Sequence, residues 1–142
     1  VSNVKIKTSD QIFSKCIRER NGWRCERCGA QHQEGSMGLH ASHYHGRGKW
    51  GVRFDPDNVS AHCYGCHSYF GSNPIEHTAW VSAKLGEPLF SILNERAQDG
   101  SLGRFAKRGE KDIRAHYRAE LNRLQALRAA GESGWIAVDN WC

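Results

Sequence analysis

The 142-residue chain predicts a small α+β fold in which a cysteine-stapled ββα core carries helical extensions at both ends. Three observations lead there. Two Cys-x-x-Cys pairs, Cys25/Cys28 and Cys63/Cys66, bracket the core. Strand-like runs separated by turn residues lie between the pairs, and apolar residues recur at helical spacing on either side of them.

Residues 1–8 carry no assignable pattern. Ser9 or Asp10 can cap a helix running to about Arg20, because Ile12, Phe13, Cys16 and Ile17 share one face and Asn21-Gly22 supplies a stop. On that stripe Cys16 reads as a small core residue. Residues 23–38 read as a cysteine knuckle followed by a turn. A strand is expected over 39–45, a flexible turn at Gly46-Arg47-Gly48, and a returning strand over 50–54 that Asp55-Pro56-Asp57 breaks. A short helix is expected to start between Asn58 and Ser60, to carry His62, Cys63, Cys66 and His67, and to end by Gly71.

Helices dominate the remainder. Asn73-Pro74 opens one that closes at Gly86, and 87–97 repeats the pattern. A loop is expected over 100–109. Residues 110–130 then place Ile113, Tyr117, Leu121, Leu124 and Leu127 on one face, the strongest helical signal in the chain. Residues 131–142 hold two Trp and no period. The expected organisation is an N-terminal arm and helix (1–22), a stapled core (23–72) and a helical extension packed on the core (73–142).

The size excludes a large multidomain enzyme. Twenty Lys and Arg against 15 Asp and Glu give a formal charge of +5, a balance that favours an anionic partner such as nucleic acid. No apolar run of about 18 residues and no secretion-like opening occur, so a soluble intracellular protein without a membrane partner is expected.

Two Cys-x-x-Cys pairs separated by 34 residues suit one tetrahedral structural Zn²⁺ held by Cys25, Cys28, Cys63 and Cys66. Each pair can turn both sulfurs to one ion. A redox dithiol would need a βαβ setting, and the sequence offers none.

Five of the eight His fall at 40, 43, 45, 62 and 67, a local excess that core packing does not require. His43 and His45 would share one face of a strand, and a helix pinned by Cys63 and Cys66 could turn His67 toward them. His32, His77 and His116, standing alone, read as surface or satisfied core positions.

The order strand, turn, strand, Asn, helix with a His resembles the HNH, or His-metal finger, endonuclease motif, with His43, Asn58 and His67 as its three signature residues. Further stretches, Leu39-His40-Ala41-Ser42-His43-Tyr44, Arg53-Phe54-Asp55-Pro56-Asp57-Asn58-Val59 and Cys63-Tyr64-Gly65-Cys66-His67, resemble the NinG/Rap recombination nucleases of lambdoid phages, over about residues 9–128. The resemblance implies a zinc-stapled ββα-metal core and metal-dependent cleavage of DNA, branched or single-stranded, leaving 5′-phosphate and 3′-hydroxyl ends. It implies His43 as general base, Asn58 as the brace of the hairpin, and His67 as ligand of a catalytic divalent cation. It also implies phage or host recombination proteins as partners and the bacterial cytoplasm as the setting.

The chemistry fits these residue types, since phosphodiester hydrolysis needs a base for water and a Lewis acid for the departing oxygen. One departure stands out. The slot before the base, where the family commonly has Asp or His, holds Ser42, so His40 or His45 is the candidate substitute ligand. An imidazole-rich set would shift preference from Mg²⁺ toward Mn²⁺, Zn²⁺, Ni²⁺ or Co²⁺. Arg47, Lys49 and Arg53 in the hairpin, and Arg104, Lys107 and Arg108 beyond it, are the candidate DNA contacts. Symmetric junction resolution would need two sites and hence a homodimer. Two alternatives stay open: a non-catalytic zinc module that binds nucleic acid, and a sequence-specific HNH restriction or homing nuclease.

Overall fold

A computed structural model describes residues 4–142; the first three residues of the N-terminal arm lie outside the described residues. Among the described residues the fold is mixed α+β, with seven α-helices and one two-stranded sheet. α1 (Thr8–Arg20) buries Ile12, Phe13, Cys16 and Ile17 against α7 (Glu110–Ala129), which contributes Ile113, Tyr117 and Leu124. The Phe13 ring meets Tyr117 at 4.7 Å and Phe54 at 5.8 Å, both edge-on, contacts that add about 0.5–1.5 kcal/mol each beyond the buried area. Cys16 is fully buried and its thiol donates to the Tyr117 carbonyl at 3.3 Å. It packs as the core residue its position on the stripe predicts.

β1 (Leu39–His43) pairs antiparallel with β2 (Val59–Cys63), Leu39 opposite Cys63 and His43 opposite Val59. α3 (Tyr64–Ser72) follows β2 directly, with Cys63 at its N-cap. Two expectations are corrected here. Residues 50–54 do not form the returning strand; Trp50–Arg53 is a short helix, α2, and a 3-10 turn over Pro56–Asn58 leads into β2. His62 and Cys63 therefore sit on a strand, not on the helix, and His45 lies two residues past the end of β1.

Both errors share a physical cause. Val52 and Phe54 are both fully buried and mimic alternation, but Gly51 before them and Arg53 between them are buried too. Alternation had only two apolar residues to rest on. β2 reads as polar, yet Val59, Ser60, Ala61 and His62 are all buried because both faces of the strand are covered. The Ser60 hydroxyl is satisfied by Lys84 Nζ at 2.8 Å.

α4 (Pro74–Leu85) and α5 (Leu89–Gln98) form where the sequence places them. α6 (Gly100–Arg108) replaces the expected loop over 100–109: Asp99 accepts the Leu102 N–H at 3.0 Å, a side-chain cap that two glycines obscure in the sequence. A second apolar cluster of Val52, Val81, Leu93 and Ala97 joins α2, α4 and α5. The final residues form no helix or strand, but they cover the main core with Val138, Ile136 and Trp141.

Candidate active cleft and metal centre

The knuckle turns on two backbone bonds, Cys25 N–H to the Ala30 carbonyl (3.0 Å) and Gly29 N–H to the Cys25 carbonyl (3.0 Å), which set Cys25 and Cys28 side by side. Cys63 and Cys66 arrive from the junction of β2 and α3. The four sulfurs lie within 4.8 Å of one another, and Cys28 and Cys63 are 3.7 Å apart. A Zn–S bond of about 2.3 Å implies a tetrahedral edge of roughly 3.8 Å, so the quartet has the dimensions of a zinc site. Burial and the neighbouring sulfurs push the Cys66 thiol up to about 12, so holding all four cysteines as thiolates would take a cation between them. These residues fit a structural zinc.

One residue ties this centre to the rest of the molecule. Glu26, between Cys25 and Arg27, has a side chain only 4% exposed and pairs with Arg20 (2.8 Å) on α1 and with Lys84 on α4. It also accepts the Ala61 N–H of β2 at 2.8 Å.

Along β1 lies a cleft of about 650 Å³ whose lining includes Arg18, His40, His43, Arg47 and His67. β1 supplies His40 and His43, the following loop Arg47, and the start of α3, next to Cys66, supplies His67. His43 Nε2–H donates to the Arg53 carbonyl at 3.1 Å, and Nδ1 is buried without a hydrogen-bond partner. Burial, reinforced by the nearby Arg47 cation, holds its pKa down at about 4, so the imidazole is neutral at pH 7. His67 is exposed. Its Nδ1 and the Ser42 Oγ share a hydrogen bond at 3.2 Å, and its ring stacks on His40 with centroids 5.1 Å apart. Partial burial, then the charges of His40 and Arg47, hold its pKa below the ordinary value.

Asn58 braces the loop that closes the cleft. Its Oδ1 accepts the His45 N–H at 2.8 Å, and its Nδ2 donates to the carbonyls of His45 (2.9 Å) and Val52 (3.0 Å). His45 itself turns away: its Nε2–H donates to Asn94 Oδ1 at 2.8 Å, and it is not part of the cleft lining. Of the two candidate substitutes for the Ser42 slot, only His40 shares the cleft with His67.

The basic residues separate into four groups. Arg47 lines the cleft and lies 3.7 Å from Asp10. Arg53, expected among the phosphate contacts, is instead 1% exposed; it faces inward to Asp10 through Nε (3.0 Å) and Nη2 (2.7 Å) and to the Lys5 carbonyl. Lys49, Arg104 and Lys107 line one shallow groove, while Arg108 lies beside a separate apolar hollow with Phe105 and Trp141.

Asp10 is the residue the sequence did not assign to the site. It reads as a helix cap, but the cap position of α1 is Lys7, and Asp10, at the third position of the helix, reaches back to accept the Lys7 N–H at 2.8 Å. Its larger role is to hold Arg53, whose carbonyl fixes His43. Burial opposes its ionisation, but the hydrogen bonds and charges of Arg53, Lys7 and Arg47 prevail and keep it below the ordinary carboxylate range. Nothing in the sequence links positions 10 and 53, which only the tertiary fold brings together.

Fold and sites define a class: small α+β proteins with a four-cysteine centre that fits zinc, set behind a histidine-lined cleft. The chain belongs to the NinG family, since the family model described as Bacteriophage Lambda NinG protein matches residues 3–127. The family points to a role connected with phage recombination. Comparison with curated proteins and with solved structures finds no match to either. Among the described residues no helix is long and apolar enough to cross a membrane.

Proposed function

We propose that the protein is a divalent-metal-dependent DNA endonuclease of the HNH type, acting on branched or single-stranded DNA in phage recombination. The observation that carries this reading is the pairing of His43 and His67 in one cleft, with His43 fixed through Nε2 and its Nδ1 left without a hydrogen-bond partner. His43 takes the proton from the attacking water. Arg53, through its carbonyl, holds the tautomer, and Asn58 keeps the loop beneath it in place. Arg47 neutralises the phosphate beside the cut.

His67 would hold the catalytic cation, with His40 beside it. Two imidazoles at most leave coordination positions open for water and phosphate oxygens, as a cation that binds substrate requires. Such a cation supplies Lewis-acid stabilisation of the departing oxygen. Ser42, in the slot the family commonly gives to a ligand, orients His67 through its Nδ1 bond instead.

The test is cleavage of supercoiled plasmid and of a four-way junction with Mg²⁺ or Mn²⁺, with a chelator control. Cleavage should vanish with chelator and fall about 10²–10⁴-fold in His43→Ala, the range expected for loss of a general base, while DNA binding persists. Binding without cleavage under every metal supports a non-catalytic zinc module. A fixed cut sequence on linear duplex supports a restriction or homing enzyme.

A further inference from the structure

We propose that the groove lined by Lys49, Arg104 and Lys107 seats the phosphate backbone of the DNA on one side of the cut, as a continuation of the cleft. This rests on reading the cleft as the site of DNA cleavage. The groove encloses about 300 Å³ between the start of α2 and the exposed face of α6, and Gly48 lines both groove and cleft. A strand leaving the cleft past Arg47 therefore meets Lys49 next.

The charges in this groove are unspent. Arg20, Arg53, Arg96 and Arg123 are each paired with a carboxylate. Lys49, Arg104 and Lys107 are exposed, and the side chain of none of them has an ion-pair or hydrogen-bond partner among the described residues. The single carboxylate in the lining, Asp99, is engaged by the Leu102 N–H as the cap of α6. Arg104 and Lys107 stand three residues apart and so share one helix face.

The packing that assembles the groove requires glycine at position 51. A Cβ on Gly51 would lie 2.7 Å from the Arg96 carbonyl oxygen, and one on Gly103 would lie 3.7 Å from the Gly51 nitrogen. Backbone thus meets backbone where α2 crosses α5 and α6, and Lys49, at the N-cap of α2, is drawn up to the cations of α6. Trp50 forms an apolar wall, held from behind by the Arg53 guanidinium 4.3 Å from its ring. Two lysines and an arginine around an open groove suit a run of phosphates, which carries no base information.

The experiment measures the salt dependence of binding by the full, zinc-loaded chain to a fluorescent four-way junction, without divalent metal. Lys49→Gln, Arg104→Gln and Lys107→Gln are compared singly and combined, with Lys15→Gln, an exposed cation of α1, as the single-charge reference. Each groove variant should lower the slope of log K against log salt by about 0.9, and the triple variant by about 2.7. A charge-retaining triple (Lys49→Arg, Arg104→Lys, Lys107→Arg) should keep the wild-type slope. An unchanged slope in the neutral triple overturns the proposal, as does an equal drop per charge in Lys15→Gln. Wild type that binds but never cleaves refutes the nuclease and leaves the groove to be judged by its slopes; wild type that does not bind DNA refutes both.

Discussion

Replacing Asn58 by Ala should cost far more than an exposed asparagine would, because its side chain is 2% exposed and satisfies three backbone groups. His45 N–H and the carbonyls of His45 and Val52 all lose their partner. The two groups of His45 lie in a partly exposed loop where water can replace the amide, so each forfeits about 0.5–1.5 kcal/mol. The Val52 carbonyl is buried, and stranding it costs about 1–3 kcal/mol. Allowing for relaxation, a total of about 2–4 kcal/mol is expected. With a urea m-value of about 2 kcal/mol/M, the midpoint of the zinc-loaded protein should fall by about 1–2 M in a circular-dichroism titration. Asn58→Asp should be no milder, since its carboxylate can still accept from His45 N–H but opposes two carbonyl oxygens. A loss below about 1 kcal/mol at unchanged m in the alanine variant, or a clearly milder aspartate, would refute the bracing role.

Thiol titration should resolve the six cysteines into three classes. Exposed Cys142 should react in the native protein, the quartet only after a strong chelator is added, and Cys16, with its thiol pushed up to about 12 by burial, only on unfolding. Early reaction of all four quartet thiols in metal-replete protein would exclude the zinc site. Cleavage should show no inflection near 6.5 between pH 5.5 and 8, because His43 sits at about 4 and acts in its neutral form. The same depression makes stability fall as pH drops from about 6.5 toward 4, since the unfolded chain takes up a proton there that the folded one refuses. A rate that halves near 6.5 would count against His43 as the base. Gly51→Ala should destabilise by about 1–3 kcal/mol through its clash with the Arg96 backbone. Gly103→Ala, with only ordinary contact distances, should be neutral or stabilising by up to about 1 kcal/mol in the same urea assay. Equal effects at the two glycines would remove the close-packing argument.

What the sequence discloses is what local pattern encodes. α1, α4, α5 and α7 carry their own periodicity and stops, and the cysteine spacing alone brings four sulfurs together. The middle of the core was less legible. β2 is polar in sequence but covered on both faces, and the apolar residues of α2 face two different packing partners, so neither segment shows a period of its own. The same limit applies to the cleft. His43, Asn58 and His67 follow from their order in the chain, whereas the inward turn of Arg53 depends on Asp10, 43 residues away. The swing of His45 to Asn94 depends on α5 packing against the loop.

Glu26 bears on how divisible this molecule is. It grows out of the cysteine knuckle, yet its two cations belong to the first and fourth helices. Excising residues 23–72 alone would strip both Arg20 and Lys84 from an interior carboxylate, and leaving a buried charge without its partners costs about 3–5 kcal/mol. A minimal finger excised for grafting onto another protein would begin with that deficit, and would have to carry α1 or α4 along or trade Glu26 for an uncharged side chain to hold its shape.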